Sequence, residues 1–439
     1  MRVCGVYFVF VILLSACTNG VSHLDIALQQ AKHNKAELEK VLKHFKHDSL
    51  KYRAACFLIE NMPGKYSILP YDSLDRYKNF LKIIPQNDPI SWDVRYSKIW
   101  HGFDSISKRQ LAGFSKIEDI KVITGDYLIK NIEYSFKIWE NGKIKDYCSF
   151  DEFCHYILPY RIDHEPLSNW REEGFQKFGH LLDSLMSPRE LALRIIKLGG
   201  MRYNIGMTKY PYKQSYAEML QTRWGTCDDM AAFLALSLRA IGIPASIDYV
   251  PAWANRSSSH CWNVVKDATG DFIEVGYGPE GKNEVVYKIS KIYRKKYDIP
   301  LCDVTSEYAM PLSDLTFRVP SQKDKQLISL CTFNNYDWVP VALSKVMNGS
   351  VLFESVGRGI LWGDNQIRTY LNEGKGIVFL AFISQKGRLN NKPIGFPVIL
   401  LEDGTIKELC ASTEKESIIL YRKYLSLIHI SEPTRHAQI

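Results

Sequence analysis

The sequence contains no C-x-x-C pair, no internal repeat and no low-complexity segment. The first absence removes the usual dithiol-redox motif and leaves no zinc-site spacing, so neither a metal nor another cofactor is expected. The others remove repeat arrays and linker-dominated architectures. Strong charge is lacking too: the net charge is +8 over 439 residues. The densest basic cluster, "KISKIYRKKY" (288–297), comes without a zinc-finger, RNA-binding or basic-helix signature. It reads as a solvated face of a helix or strand, and no nucleic-acid partner is expected. What is present is apolar: 46% hydrophobic and 12% aromatic residues suffice to bury two or three cores and exclude wholesale disorder.

The two ends read differently from the rest. In "MRVCGVYFVFVILLSAC", Arg2 precedes an apolar run from Val6 to Leu14 that is too short to span a bilayer. This is the pattern of a secretory signal over residues 1–16. The tetrad "LSAC" (14–17) resembles the bacterial lipobox, which implies an exported chain acylated at Cys17. Such a chain would be anchored to the bacterial outer membrane, on its periplasmic or surface side. At the other end, "LSLIHISEPTR" (425–435) resembles a translated sequencing adaptor and follows a strand-like run without a turn signal. Residues 425–439 are therefore expected to be an artefact, with the natural chain running further. Of ten cysteines, Cys4 leaves with the signal and Cys17 carries lipid. The rest are irregularly spaced and are expected to be mostly buried small hydrophobes.

Between the ends the texture predicts a multidomain α+β protein. Residues 17–185 form a mainly helical region, with amphipathic spacing over 23–61 and 111–140. "SFDEFCHYILPYR" (149–161) reads as a short capped helix, a simpler account of Asp151, Glu152 and His155 than a metal-binding face. Residues 186–310 form an α+β domain. "SPRE" (187–190) is a capping box with proline at the first helical position, and a second, strongly apolar helix runs from Cys227 to Ala240 with Gly242 as its stop. Alternating strands follow, turning at Gly270. Residues 311–424 break into short β-like runs, with "EDGT" a hairpin turn, and predict an all-β, sandwich-like module. There the aromatics of "FNNYDWVPV" (333–341) suit a buried core or a sugar-stacking surface.

Chemistry concentrates in "WGTCDDMAAF" (224–233) and "HCWNVV" (260–265). A thiol at a helix start is favoured as thiolate by the dipole and the unpaired N–H groups. Cys227 sits at such a start behind Gly225, which lets the chain turn tightly into the helix. A nucleophilic thiol needs a base, and His260 opens a strand downstream. Alternation places His260, Trp262 and Val264 on one face and Cys261, Asn263 and Val265 on the other. Cys227 as a buried helical cysteine or half of a disulfide, and His260 as a satisfied strand histidine, remain open readings of these residues.

The run "WGTCDDMAAFLALSLRAIGIPA" followed by "HCWNVV" resembles the transglutaminase-like superfamily, a branch of the papain-like cysteine enzymes, over roughly 187–276. The resemblance implies Cys227 as nucleophile, His260 as general base and acid, and amide substrates taken through a thioester. The family places a carboxylate on the next strand. Folding that hairpin about 268–270 puts Gly276 or Tyr277 opposite His260, and the family's aspartate would fall on Gly276. Glu274, expected opposite Trp262 or Asn263, is the substitute; Asp271 and Asp267 lie nearer the turn. Gln221 and Trp224 are candidates for an oxyanion donor, and Trp262 lies beside the imidazole. Two functions follow. One is an anchored cysteine hydrolase or protease cleaving peptides, proteins or glycopeptides. The other is a degenerate domain that binds glycan or protein as a scaffold.

Overall fold

The computed structural model of the protein describes residues 22–69, 115–141, 143–203, 213–281, 287–299, 301–319, 324–334, 337–360, 376–385 and 388–410. The expected signal segment, Cys17 and the adaptor-like end lie outside the described residues. Among the described residues, no helix is long and apolar enough to cross a membrane.

The amphipathic run 23–61 forms three helices, α1 (His23–Ala31), α2 (Lys35–His44) and α3 (Ser49–Glu60). It breaks where polar side chains prefer backbone partners. Buried Asn34 donates to the carbonyls of Ile120 and Ile123 at 3.2 and 2.9 Å, and Asp48 caps α3 by accepting from the Lys51 N–H at 3.1 Å. A short antiparallel pair, β1 (Tyr66–Leu69) with β2 (Ser115–Glu118), interrupts the expected mainly helical texture. Then come α4 (Asp119–Val122), α5 (Gly125–Asn141) and α6 (Phe150–Tyr156). The last is the expected capped helix, with Ser149 and Glu152 forming a capping box. These helices share a core containing Leu38, Leu58, Phe136, Phe153 and Tyr160.

A second core is built around one helix. α7 (Trp170–Phe178), α8 (Pro188–Gly199) and α9 (Tyr216–Thr222) surround α10 (Cys227–Ala240), whose residues from Asp229 onward are all buried. This core takes in Trp170, Phe178 and Leu181, so it begins upstream of residue 186. β3 (Arg202–Tyr203) pairs in parallel with β4 (Trp224–Gly225), which leads directly into α10. Gly242 ends the helix at φ 85°, where a Cβ would meet Ile138 at 2.1 Å. Beyond it lies a five-stranded sheet of β5 (Ala245–Val250), β6 (His260–Lys266), β7 (Phe272–Val275), β9 (Tyr293–Arg294) and β10 (Cys302–Asp303), in the order β10-β9-β5-β6-β7.

The basic cluster 288–297 is not a solvated face. Lys288, Lys291 and Arg294 are buried, and each charge has partners. Arg294 makes a bidentate pair with Asp248 at 2.8 and 2.9 Å, and Lys291 pairs with Asp303. Lys288, in β8 (Lys288–Ile289), reaches the Gly376 carbonyl at 3.2 Å. β8 pairs with β15 (Gly359–Ile360), so this segment joins the domain to the C-terminal module. Buried cations persist because pairing offsets their desolvation.

That module has two sheets. One holds β11 (Leu312–Arg318) and β14 (Ser350–Gly357). The other holds β12 (Leu327–Asn334), β13 (Asp337–Lys345), β16 (Gly376–Gln385), β17 (Arg388–Leu401) and β18 (Ile406–Glu408), in the order β13-β12-β16-β17-β18. Leu315 and Phe353 from the first meet Leu330, Phe379 and Leu400 from the second in a common core. The β17–β18 turn is the expected "EDGT", with Gly404 at φ 92°.

Candidate active site

Cys227 is the first residue of α10, and its surroundings follow from the cap. Thr226 is the N-cap. Its hydroxyl accepts from the Asp229 N–H, while Asp229 accepts from the Thr226 N–H at 2.8 Å and its hydroxyl at 2.9 Å. The Met230 N–H closes the first helical bond to the Thr226 carbonyl at 3.0 Å. The N–H groups of Cys227 and Asp228 are those of the first turn that neither cap nor helical bond uses. Gly225 is required by contact, not by a left-handed turn. A Cβ there would lie 2.6 Å from the Asp229 Cβ.

The helix packs on the Cys261–Asn263–Val265 face of β6, opposite to the face that carries Trp262. Cys261 lies among Ala231, Ala232, Ala235 and Ile247, and Asn263 donates to the Ala231 carbonyl at 2.8 Å. His260 reaches Cys227 because it is the first residue of the strand, at the sheet's end, not because its face meets the helix. The Cys227 thiol, half-buried, is pulled down to about 6. A hydrogen bond from Cys261 is the largest cause; burial opposes it, and a hydrogen bond and charge from His260 add to it. Asp228 works in the other direction. Burial disfavours the Asp228 charge, but Lys213 at 3.7 Å and Lys295 at 4.0 Å outweigh this and hold its carboxyl below the ordinary value.

Several residues that the sequence pattern did not single out hold the histidine. Trp253 stacks on the imidazole at 5.7 Å between centroids and 24° between planes. Its loop, 251–259, is clamped from the C-terminal module by Asn334, at the end of β12. The buried Asn334 amide donates to the carbonyls of Trp253, Arg256 and Ser258 at 2.9, 2.7 and 3.0 Å and accepts from the Ser258 N–H at 3.2 Å. Ser258 has a φ of 142°, an uncommon conformation for a residue with a side chain. Trp262 also lies against the ring, at 5.8 Å between centroids; it is buried and donates to the Tyr308 hydroxyl at 3.0 Å. Tyr308 in turn donates to Asp248 at 2.6 Å. Trp262 therefore belongs to a buried polar chain, and its indole N–H is not turned toward a substrate.

The β6–β7 register corrects the expected third residue. Asn263 faces Val275 and Val264 faces Glu274, one or two positions from the two expected pairings. The loop is centred on Thr269: the Asp267 carboxylate accepts from the Thr269 N–H at 2.9 Å and the Asp271 N–H at 3.2 Å. Pairing ends at Asn263 and Val275: the Gly276 N–H turns to the Gly281 carbonyl at 2.9 Å, so β7 places no residue opposite Trp262 or His260. Glu274 is thus four residues along β6 from the imidazole, about 13 Å by strand rise. Burial, then the Asp248 charge, push its carboxyl up to about 8, so at neutral pH it is protonated and cannot stabilise an imidazolium. Asp267 and Asp271 lie in the exposed turn, farther still.

Of the other expected donors, Gln221 is exposed on the last turn of α9 and Trp224 is buried in β4. The buried amide here is Gln214, which donates to the Trp224 carbonyl at 2.9 Å and accepts from the Thr222 hydroxyl at 2.9 Å. One group with ligand geometry occurs among the described residues: atoms of Cys227, Asp228 and Cys261 lie within 4.8 Å of one another. Two lysines already serve Asp228, and a third cation there would be opposed by both.

Residues 180–276 match the model of the transglutaminase-like superfamily. No curated protein matches the chain by sequence. Among solved structures the chain is similar to one from Cytophaga hutchinsonii, named as a candidate cysteine protease. Identity is 14% and the TM-score 0.21, over 44% of this chain and 51% of that one. The chain thus spans about half the length of that structure.

Proposed function

Starting from a transglutaminase-like domain at residues 180–276, we propose that the chain is a cysteine hydrolase that cleaves amide bonds of peptides, proteins or glycopeptides. The observation that carries the reading is the Cys227 thiol, set at the start of α10 and drawn down by Cys261 and His260. A thiolate there adds to the amide carbon, and the N–H groups of Cys227 and Asp228 supply donors for the oxyanion. His260 delivers a proton to the leaving amine, and a thioester remains on Cys227. Water then adds with His260 as base, releasing the acid and restoring the thiol. Acylation at Cys17 would hold this chemistry on a bacterial outer membrane.

A second reading rests on β7, whose Glu274 faces Val264 and keeps its proton up to about 8, so that strand supplies no carboxylate opposite His260. Without a carboxylate to stabilise its cation the histidine is a weaker base, and the domain would serve as a scaffold that binds glycan or protein. One experiment separates the two. Wild type, Cys227→Ala and His260→Ala are reacted with a chloroacetamide across pH, and fluorogenic peptides are assayed in parallel. The hydrolase reading expects Cys227 labelling with a midpoint near 6, a higher midpoint in His260→Ala, and peptide turnover lost in Cys227→Ala. A midpoint at the ordinary thiol value, indifferent to His260, rejects it.

A further inference from the structure

The neighbour of the proposed nucleophile is a second thiol, and nothing in amide hydrolysis uses it. We propose that Cys227 and Cys261 form a reversible oxidation site, in which a hydroperoxide oxidises Cys227 and Cys261 closes the product to an intramolecular disulfide. The reacting atoms are already adjacent, since Cys227, Asp228 and Cys261 present sulfur, oxygen and sulfur within 4.8 Å of one another. The backbones cannot drift apart. β6 is tied to α10 by the Asn263 amide on the Ala231 carbonyl at 2.8 Å, and the alanines at 231, 232 and 235 let strand and helix approach closely. Cys261 is buried, so an outside thiol meets Cys227 first and Cys261 is left to react within the molecule.

The chemistry balances with a peroxide as the two-electron oxidant. The Cys227 thiolate attacks one peroxide oxygen, the O–O bond breaks, and the leaving hydroxide takes a proton to become water, giving a sulfenic acid on Cys227. The Cys261 sulfur then attacks the Cys227 sulfur. The S–O bond breaks and hydroxide leaves as water with the Cys261 proton, which Asp228 is placed to carry at 3.6 Å from the Cys261 sulfur. In sum two thiols and one hydrogen peroxide give one disulfide and two waters. Three groups thus act in sequence: an ionised attacking thiol, a resolving thiol, and a carboxylate kept charged by Lys213 and Lys295. Closing the disulfide removes the thiolate, so loss of amide hydrolysis rests on the function proposed above, whereas the pairing itself does not.

The test uses the reduced full chain and hydrogen peroxide, quenched with iodoacetamide under denaturing conditions and read by intact mass and peptide mapping. The expected result is loss of two alkylatable thiols, a peptide joining Cys227 to Cys261, and recovery of both thiols with dithiothreitol. In Cys261→Ala the sulfenic acid accumulates, is trapped by dimedone, and goes on to irreversible sulfinic acid. Wild-type chain in which Cys227 passes straight to sulfinic acid while Cys261 stays alkylatable overturns the proposal, as does a Cys227 that peroxide leaves unmodified. Peptide turnover in the same samples keeps the two ideas apart. A reversible disulfide in a chain that never cleaves peptide supports the oxidation site and rejects the hydrolase.

Discussion

Replacing Asn334 with alanine removes four hydrogen bonds from the loop that carries Trp253 to the imidazole. The amide shares two N–H donors among the three carbonyls and accepts one bond, so at about 1 kcal/mol net for each neutral bond the clamp contributes about 3 kcal/mol to holding the loop. Working against it is the Ser258 backbone, whose φ of 142° stores on the order of 1–3 kcal/mol. The clamp outweighs that strain; without it the strain favours release. The loop stays tethered by the Ala254 N–H donating to the Lys288 carbonyl at 2.9 Å, by the Lys288 N–H donating to the Asn255 side chain at 2.8 Å, and by the Arg256 guanidinium donating to the Tyr287 hydroxyl. The expected outcome is partial opening. Chloroacetamide labelling of Cys227 at pH 7 should slow by about tenfold, as a shift of about 1.4 kcal/mol in loop closure requires. At pH 9, where the thiolate forms without help from His260, labelling should approach the wild-type rate. Asn334→Asp, which keeps the acceptor and loses the donors, should behave similarly. Wild-type labelling at both pH values would refute the clamp. Equal slowing at both would show general loosening instead of a displaced histidine.

Two further outcomes follow from the site's surroundings. Glu274 keeps its proton in the folded chain up to about pH 8, whereas an unfolded glutamate loses it near about 4.3. Folded stability therefore falls as pH rises between those values. Glu274→Gln should raise the Tm at pH 8 by a few degrees, on the order of 1–2 kcal/mol after allowing for partial solvation, with no gain at pH 4 and unchanged Cys227 labelling. Slower labelling with an unaltered Tm profile would return Glu274 to the site. Gly225→Ala drives a Cβ to 2.6 Å from the capping Asp229 and 3.2 Å from Met201. It should cost about 1–3 kcal/mol in denaturant unfolding and disturb Cys227; a wild-type midpoint would mean that the cap shifts freely.

Much of the site was legible because its signals are local. The Thr226–Asp229 capping box, the apolar run behind it and Gly242 define α10 from residues within a few positions of each other. The glycine turns at 270 and 404 are likewise set by their own φ angles of 95° and 92°. β12 was not legible. It is an inner strand, between β13 and β16, and buried on both sides, so "LISLCTFN" lacks the alternation that marks a half-buried strand. Its last residue, Asn334, reads as one polar residue in an aromatic turn. The basic cluster 288–297 misled for a related reason: charge in a sequence reads as exposure, and only the spatial arrival of Asp248, Asp303 and other partners makes burial tolerable.

The sequence by itself determined that Cys227 would begin a buried helix and that His260 would begin a strand, since caps, glycines and apolar spacing act over a few residues. Which groups stand around them was decided by tertiary structure. Cys261 meets Cys227 because α10 lies on that face of β6, and Glu274 stands away from His260 because it pairs with Val264 in the β6–β7 ladder. Asn334 arrives from a separate sheet to hold the loop before the histidine. A strand's two faces look alike in sequence until something packs on one of them, and a register shift of two keeps every residue on its face while changing each of its neighbours.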